Sequence, residues 1–227
     1  MRKYFDDRDQ AGRALAAQLQ ALNLTPPVVV VALPRGGVPI GLPIARALQA
    51  PLDLLLVRKI GAPGQPELAV AAIVDGEPPD LVDDERTQAA CGVSRDYVLQ
   101  QARVAQQENI RRREAFLRGR APLPVRGATV IVVDDGIATG TTMRAALLAL
   151  RRRDPAQLVL AVPVAPADTL ARLRTEVDQV VCLAQPEPFH ATGVHYRDFS
   201  QVEDAEVLAA LDAAGMPAAR ESSGGAL

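Results

Sequence analysis

Short apolar runs separated by helical segments are the feature that most constrains the fold of this chain. Residues 28–33 are continuously apolar between Pro27 and Pro34, and residues 130–133 form a second such run. Runs of this kind are typical of strands that are buried on both faces of a parallel sheet. Because helical patterns separate them, the sequence predicts an α/β fold in which a central parallel sheet is flanked by helices.

The remaining elements follow from periodicity and from capping residues. Residues 7–22 predict a helix that Asp7 or Asp9 caps, because leucines recur along one face. Ser94 and Gly119 mark the two ends of a long polar helix whose apolar stripe is thin. The other predicted elements are helices at about 39–49, 140–153 and 167–175 and strands at about 52–57, 68–74, 158–162 and 177–183.

The chain has 227 residues, a length that suits one domain. We predict a single domain over residues 1–215, with a helical insertion or flap at about 75–120 and a small C-terminal hood at about 185–205. The insertion is interpreted as either a lid or a dimer arm. Residues 216–227 are small and polar and predict a disordered tail.

Composition argues against several kinds of function. The formal net charge of -2 gives no overall positive field for nucleic acid. The arginine runs at 111–113 and 151–153 lie late on predicted helices, where cations stabilise the helix dipole, so solvated faces are favoured. The two cysteines form no zinc or disulfide pattern, and no apolar run is long enough to span a membrane. The acidic start is not typical of a secretory signal, so we expect a cytoplasmic protein.

Residues 133–142 carry the chemistry, because they link a buried strand to the start of a helix. Ligands bind at this edge of open α/β sheets. The amides and the dipole at a helix start attract an anion, and glycine lets the backbone approach it closely. We therefore predict that a phosphate is bound by Ala138, Thr139, Gly140, Thr141 and Thr142.

Asp134 and Asp135 precede this phosphate loop and would repel a bare phosphate. Two adjacent carboxylates make sense if the ligand presents hydroxyl groups or a metal ion on that side, as a ribose 5-phosphate does. The alternative is a capped turn, in which Asp135 and the threonines bond the helix amides. One acid and one threonine would suffice for a cap, so the ligand interpretation is favoured.

The segment resembles the signature of type I phosphoribosyltransferases, which bind phosphoribosyl pyrophosphate (PRPP): four apolar residues, two acids and a loop rich in threonine and small residues. The resemblance covers about residues 28–185, and residues 5–12 are similar to a bacterial group of this family. It implies a Mg²⁺-dependent transfer in nucleotide metabolism, with PRPP and a small nitrogenous acceptor as partners. It also implies that Asp134 and Asp135 hold the ribose and Mg²⁺, the latter directly or through PRPP and water. Proteins of this family commonly form homodimers.

Two segments are expected at the pyrophosphate of PRPP. Arg35, Gly36 and Gly37 follow the first strand, where consecutive amides and a guanidinium suit a highly charged phosphate group. The resemblance places a pyrophosphate-binding loop there, often with a cis peptide. Arg58 and Lys59 are predicted to end the second strand and to bind the same group. Lys59 is favoured if only one side chain points inward, because side chains alternate along a strand.

The resemblance also implies how the acceptor is held. A hood grips the base, and Phe189 or Tyr196 could stack on a heterocycle. An equally weighted alternative is that these rings only pack the C-terminal segment onto the body. Ala138 stands where 6-oxopurine phosphoribosyltransferases have an assisting aspartate, which disfavours those bases, and the loop is closer to the adenine type. The acceptor stays open.

The sequence-based hypothesis is therefore a phosphoribosyltransferase with Asp134, Asp135 and Lys59 as catalytic residues. Residues 60–68 are expected to form a mobile loop that closes over PRPP and excludes water. Three rivals remain. A PRPP sensor or regulator would bind without turnover, a hydrolase of a phosphoribosyl compound would use water as the acceptor, and a nucleic-acid-binding protein would use the arginine runs.

Overall fold

The computed structural model describes residues 4–214, and the predicted tail at 216–227 lies outside them. The strands are β1 (Val28–Ala32), β2 (Leu52–Leu54), β3 (Val57–Ala62), β4 (Gln65–Val74), β5 (Asp80–Asp83), β6 (Thr129–Val133), β7 (Gln157–Val164) and β8 (Gln179–Ala184). The helices are α1 (Arg8–Gln20), α2 (Gly37–Leu48), α3 (Glu85–Cys91), α4 (Arg95–Leu117), α5 (Thr141–Arg152), α6 (Ala167–Leu173) and α7 (Asp204–Ala213). A short 3-10 helix covers Thr192–His195.

A five-stranded parallel sheet in the order β2-β1-β6-β7-β8 forms the centre of the fold. Alternate side chains of its strands enter two separate cores. Ile131 and Val133 pack with α1, α2 and α7 on one face, whereas Val130 and Val132 pack with α5 and α6 on the other. Neighbouring strands of this sheet pair in parallel, and helices pack on both of its faces. The prediction of a parallel sheet flanked by helices is therefore confirmed.

The segment that follows β2 departs from the prediction. The expected strand at 52–57 ends at Leu54, and β3, β4 and β5 form a separate antiparallel sheet. The expected strand at 68–74 belongs to that second sheet, and residues 60–68 lie within the β3–β4 hairpin, around its turn. A parallel return needs a crossover of a dozen or more residues, and the turn at Pro63 and Gly64 is far too short for one.

The predicted insertion contains β5 as well as helices α3 and α4. The long helix begins where expected, because the Ser94 side chain accepts a hydrogen bond from the Tyr97 amide. Its thin apolar stripe, which includes Val98 and Ala102, packs on the second sheet. The insertion is therefore the outer layer of the second sheet, and the lid and dimer-arm interpretations stay predictions.

A buried ion pair anchors this layer to the junction of the two sheets. Asp75, at the end of β4, pairs with Arg113 of α4 and accepts a hydrogen bond of 2.8 Å from the Leu56 amide. Burial raises the pKa of Asp75, and the charge of Arg113 opposes that rise. Within residues 4–214, no helix is both long and apolar enough to cross a membrane.

Truncating a buried side chain in the core on the α5 face should cause a large loss of stability. Leu147 of α5 is fully buried, so Leu147→Ala should lower the free energy of unfolding by about 2–5 kcal/mol through lost contacts and the cavity left behind. The matched control is Leu99→Ala on α4, where the leucine is 39% exposed and the loss should be much smaller. Urea unfolding of both variants measures the difference. Equal losses would contradict the assigned burial.

Candidate active site

Two loops meet at the carboxyl ends of neighbouring strands. Ala32 of β1 is in register with Val133 of β6, and the Leu33 amide donates to the Val133 carbonyl at 3.0 Å. A Cβ atom at Gly37 would lie 2.7 Å from the Val133 oxygen, and one at Gly36 would collide with the carboxylate of Asp135. Glycine is therefore required at both positions so that the two loops can touch.

The phosphate loop ends at Gly140, which adopts a left-handed conformation with φ 81 and precedes α5. Gly140 has no side chain with which to cap the helix. Thr139 and Thr141 are exposed, and their hydroxyl oxygens lie 3.5 Å apart. Among the described side chains, none accepts a hydrogen bond from the first amides of α5. The capped-turn alternative is therefore wrong, and these amides are available to an anion.

The loop is supported from behind by α6. The Thr169 hydroxyl donates to the Ala138 carbonyl at 3.0 Å. A cavity of about 200 Å³ opens beside the loop, between it and the second sheet, and Arg144 and Arg172 stand among its walls. Both arginines pair with acids, so the loop lies in a polar cleft with mixed charge.

Asp134 and Asp135 are half-buried at the start of the loop. The Asp135 amide donates to the Asp134 carboxylate at 2.9 Å. Burial raises the pKa of Asp134 well above its ordinary value, and the charge of Asp135 raises it further. Burial also raises the pKa of Asp135, but there the Arg8 guanidinium opposes the rise. Burial and mutual repulsion therefore disfavour the state in which both carboxylates are ionised, and Arg8 offsets part of this effect at Asp135.

Sequence reasoning assigned no role to Arg8, yet this residue contacts the acid pair directly. Arg8 Nε lies 2.8 Å from Asp135 Oδ2, and the two residues are 127 positions apart. Local spacing carries no signal for such a long-range contact. The similarity of residues 5–12 to the bacterial group was the only hint that this segment matters.

The residues expected to bind pyrophosphate lie in two places, the loop after β1 and the start of β3. The Pro34–Arg35 peptide bond is cis, as the resemblance implied. The Arg35 guanidinium points to the start of α7, 3.4 Å from Asp204 and 3.9 Å from Glu203. A contact of its side chain with pyrophosphate stays a prediction, since these acids compete for the guanidinium.

Arg58 and Lys59 begin the second sheet instead of ending β2, so that placement is corrected. Arg58 lies 3.5 Å from Glu108 of α4. Lys59 lies on the opposite face of β3, the same face as Val57, which packs against the core beside α5. The Lys59 amine lies 3.5 Å from the Glu67 carboxylate. Lys59 and Arg58 therefore lie on opposite faces of β3, and a contact of either side chain with pyrophosphate stays a prediction.

The hood does not present Tyr196 to a ligand. This ring is only 1% exposed, lies between Phe5 and Phe199, and donates its hydroxyl to the Asp135 carbonyl at 2.6 Å. Stacking of Tyr196 on a base is thus excluded by burial, and the packing alternative holds for it. Phe189 is half-buried beside His195, so its stacking role stays a prediction.

The acid pair also sets what metal the site could hold. Carboxylate oxygens suit Mg²⁺, which keeps several water or phosphate oxygens among its ligands. Within residues 4–214, no group of three or more His, Cys, Asp or Glu side chains could hold a metal ion by itself. The carboxylates of Asp134 and Asp135 suit Mg²⁺ by their chemistry, and a magnesium ion brought there by a phosphorylated ligand stays a prediction.

Comparisons with known proteins cover most of this chain. The family model described as "Phosphoribosyl transferase domain" matches residues 5–197. Two curated relatives from Mycobacterium tuberculosis strains, both named "Putative phosphoribosyl transferase", are 47% identical over 214 residues, which is 93% of this chain and 47% of each relative. The chain thus spans about half the length of these relatives.

Solved structures give the same picture of the fold. The crystal structure of TT1426 from Thermus thermophilus has a TM-score of 0.80 and 40% identity, and the match covers 93% of this chain and 98% of that one. A hypothetical protein from Neisseria gonorrhoeae with bound ppGpp has a TM-score of 0.50 at 14% identity, covering 94% and 97% of the two chains. The second likeness concerns the fold alone.

The raised pKa of Asp134 predicts a stability that depends on pH. Folding favours its protonated form, and this contribution is lost as the pH rises from the ordinary carboxyl range through the folded-state pKa. Asp134→Asn keeps an oxygen for the Asp135 amide without a charge. We therefore expect the variant to be more stable than the wild type near pH 7, with the difference shrinking near pH 4.

Urea unfolding at the two pH values tests this expectation. Asp168→Asn is the control of opposite sign, because Arg172 lowers the pKa of this exposed carboxyl group. That variant should gain no stability near neutral pH. An Asp134→Asn protein that is less stable than the wild type near pH 7 would contradict the electrostatic assignment.

Proposed function

The chain belongs to the phosphoribosyl transferase domain family, and from this premise we propose that it transfers the phosphoribosyl group of PRPP to a nitrogenous acceptor. The reaction breaks the bond between the anomeric carbon and pyrophosphate and forms a bond from that carbon to nitrogen. The observation that carries the proposal is the uncapped start of α5, which follows an acid pair that packs against Gly36 and Gly37.

Each part of the site matches one part of PRPP. The amides and hydroxyls of residues 138–142 suit the 5-phosphate, because a helix start attracts an anion. Asp134 and Asp135 suit the ribose hydroxyls as hydrogen-bond acceptors. The Gly36 amide, the Arg35 guanidinium and Lys59 of β3 suit the departing pyrophosphate, whereas the Gly37 amide already donates to the Leu33 carbonyl at 2.9 Å. Positioning and electrostatics carry this chemistry, so no nucleophilic side chain is required.

Mg²⁺ is the metal that this ligand would bring. When bound, it neutralises charge on pyrophosphate and acts as a template for the reacting groups. The chain's own contribution is the paired carboxylates, which favour a cation on the ribose side and leave the phosphate loop to the anion. A cytoplasmic location and a homodimer, both expected from the sequence, remain predictions.

A PRPP sensor is the second candidate, and one observation favours it. Tyr196, one of the two rings expected to hold a base, is committed to packing. A sensor would bind PRPP without releasing pyrophosphate, a hydrolase would release it with no acceptor present, and a transferase would release it only with the right acceptor. Adenine is the first base to try, because the loop resembles the adenine type.

Binding of PRPP is the central test. Calorimetric titration should show binding that depends on Mg²⁺, and the Asp134→Asn/Asp135→Asn variant should bind at least about tenfold more weakly, since a lost charge-assisted contact is worth on the order of 1.5–3 kcal/mol. Circular dichroism shows whether the variant is folded. Unchanged affinity in a folded variant would remove the ribose assignment, and absence of binding by the wild type, even with acceptor present, would overturn the proposed function.

Lys59 and Arg58 offer a matched pair on opposite faces of one strand. We expect Lys59→Ala to weaken binding of Mg²⁺–PRPP more than Arg58→Ala, because only Lys59 lies on the face that turns toward α5. Both substitutions remove one positive charge, so a general electrostatic effect would weaken binding equally. A larger loss in Arg58→Ala would reverse the assignment.

A further inference from the structure

Arg8 occupies an electrostatically unfavourable position for a cation. It is the first residue of α1, where the helix dipole is positive and acidic residues are the ones that stabilise a helix. Its side chain is nevertheless only 11% exposed. Helix propensity and solvation do not account for a buried arginine at this place, so its tertiary contacts must.

Three contacts surround the Arg8 guanidinium. Nε meets Asp135 Oδ2 at 2.8 Å, and Nη1 donates to the Ser200 carbonyl at 2.8 Å. The carbon at its centre lies 3.8 Å from the centroid of the Phe199 ring. The guanidinium therefore joins the start of α1, the loop after β6 and the segment at 196–200.

Asp135 is held from several sides. The Gly36 backbone packs against its carboxylate so closely that a Cβ atom would collide with it. The Tyr196 hydroxyl donates to the Asp135 backbone carbonyl at 2.6 Å, and Arg8 Nε donates to Oδ2 of the Asp135 carboxylate. Rotation of the side chain would break the ion pair or strike the neighbouring loop.

We propose that Arg8 is a positioning residue: it fixes the direction of the Asp135 carboxylate and ties that carboxylate to the segment at 196–200. The proposal rests on the proposed function in one respect: the carboxylate so fixed is the one assigned to the ribose of PRPP. Arg8 itself touches no reacting atom.

The burial of this pair separates it from the ordinary ion pairs of the surface. Arg13 and Asp9, on the same helix, form a pair whose side chains are 62% and 55% exposed. Exposed pairs contribute little, since water screens them. The Arg8–Asp135 pair, at 11% and 15%, is screened much less and couples distant segments.

The first experiment is a double-mutant cycle on the affinity for Mg²⁺–PRPP. Arg8→Gln should weaken binding about tenfold in the wild type and have almost no further effect beside Asp135→Asn, because Arg8 acts through that carboxylate. Arg13→Gln, the matched control, should bind like the wild type. Arg8→Lys should restore part of the affinity, since it keeps the charge and loses the planar fork. If Arg8→Gln does not fold, Arg8→Lys replaces it in the cycle.

Hydrogen exchange in the absence of ligand is the second experiment. The amides of Arg197 and Asp198 donate to the Phe5 and Asp6 carbonyls, so they report whether the segment at 196–200 stays attached. We expect Arg8→Gln to speed their exchange about tenfold and Arg13→Gln to leave it unchanged.

The two experiments separate the two proposals. If the wild type does not bind PRPP but Arg8→Gln speeds the exchange, the proposed function fails and the tie between Arg8 and the segment at 196–200 stands. If exchange is unchanged, that tie is wrong. Fully additive losses of affinity in the cycle would overturn the positioning role of Arg8.

Discussion

The parallel pairing of β1 with β6 is the interaction on which the site depends. These strands are adjacent in the sheet although about a hundred residues separate them, and their register brings both carboxyl ends to the same level. Each strand is buried on both faces, so neither can shift by one residue without exposing apolar side chains. The loop after β1 and the loop after β6 are therefore forced together, and the glycines at 36 and 37 permit the contact.

The parts that sequence predicts well are those with local signals. The apolar runs specify β1 and β6, and the small residues and threonines at 138–142 specify an open helix start, because both patterns act over a few residues. The direction of the strand at 68–74 depends instead on the length of the connection before it. A mobile loop and a tight hairpin have similar compositions of glycine and proline, which is why composition does not distinguish the two at residues 60–68.

The roles of Arg8 and Tyr196 were beyond sequence reasoning for another reason. Tyr196 is suited to stacking by its chemistry, and only the surrounding Phe5 and Phe199 show that its faces are occupied. Arg8 meets Asp135 through the tertiary fold alone. Burial raises the pKa of both carboxylates of the acid pair, and a cation brought by a ligand would favour their ionised forms.

The contact between Arg8 and Ser200 spans 192 positions of the chain. During synthesis at the ribosome, the sheet strands that carry both loops emerge well before residue 200 does. A nascent chain can therefore form β1 and β6 while the carboxylate of Asp135 still lacks part of its support. The site is thus complete only once the segment at 196–200 has reached α1.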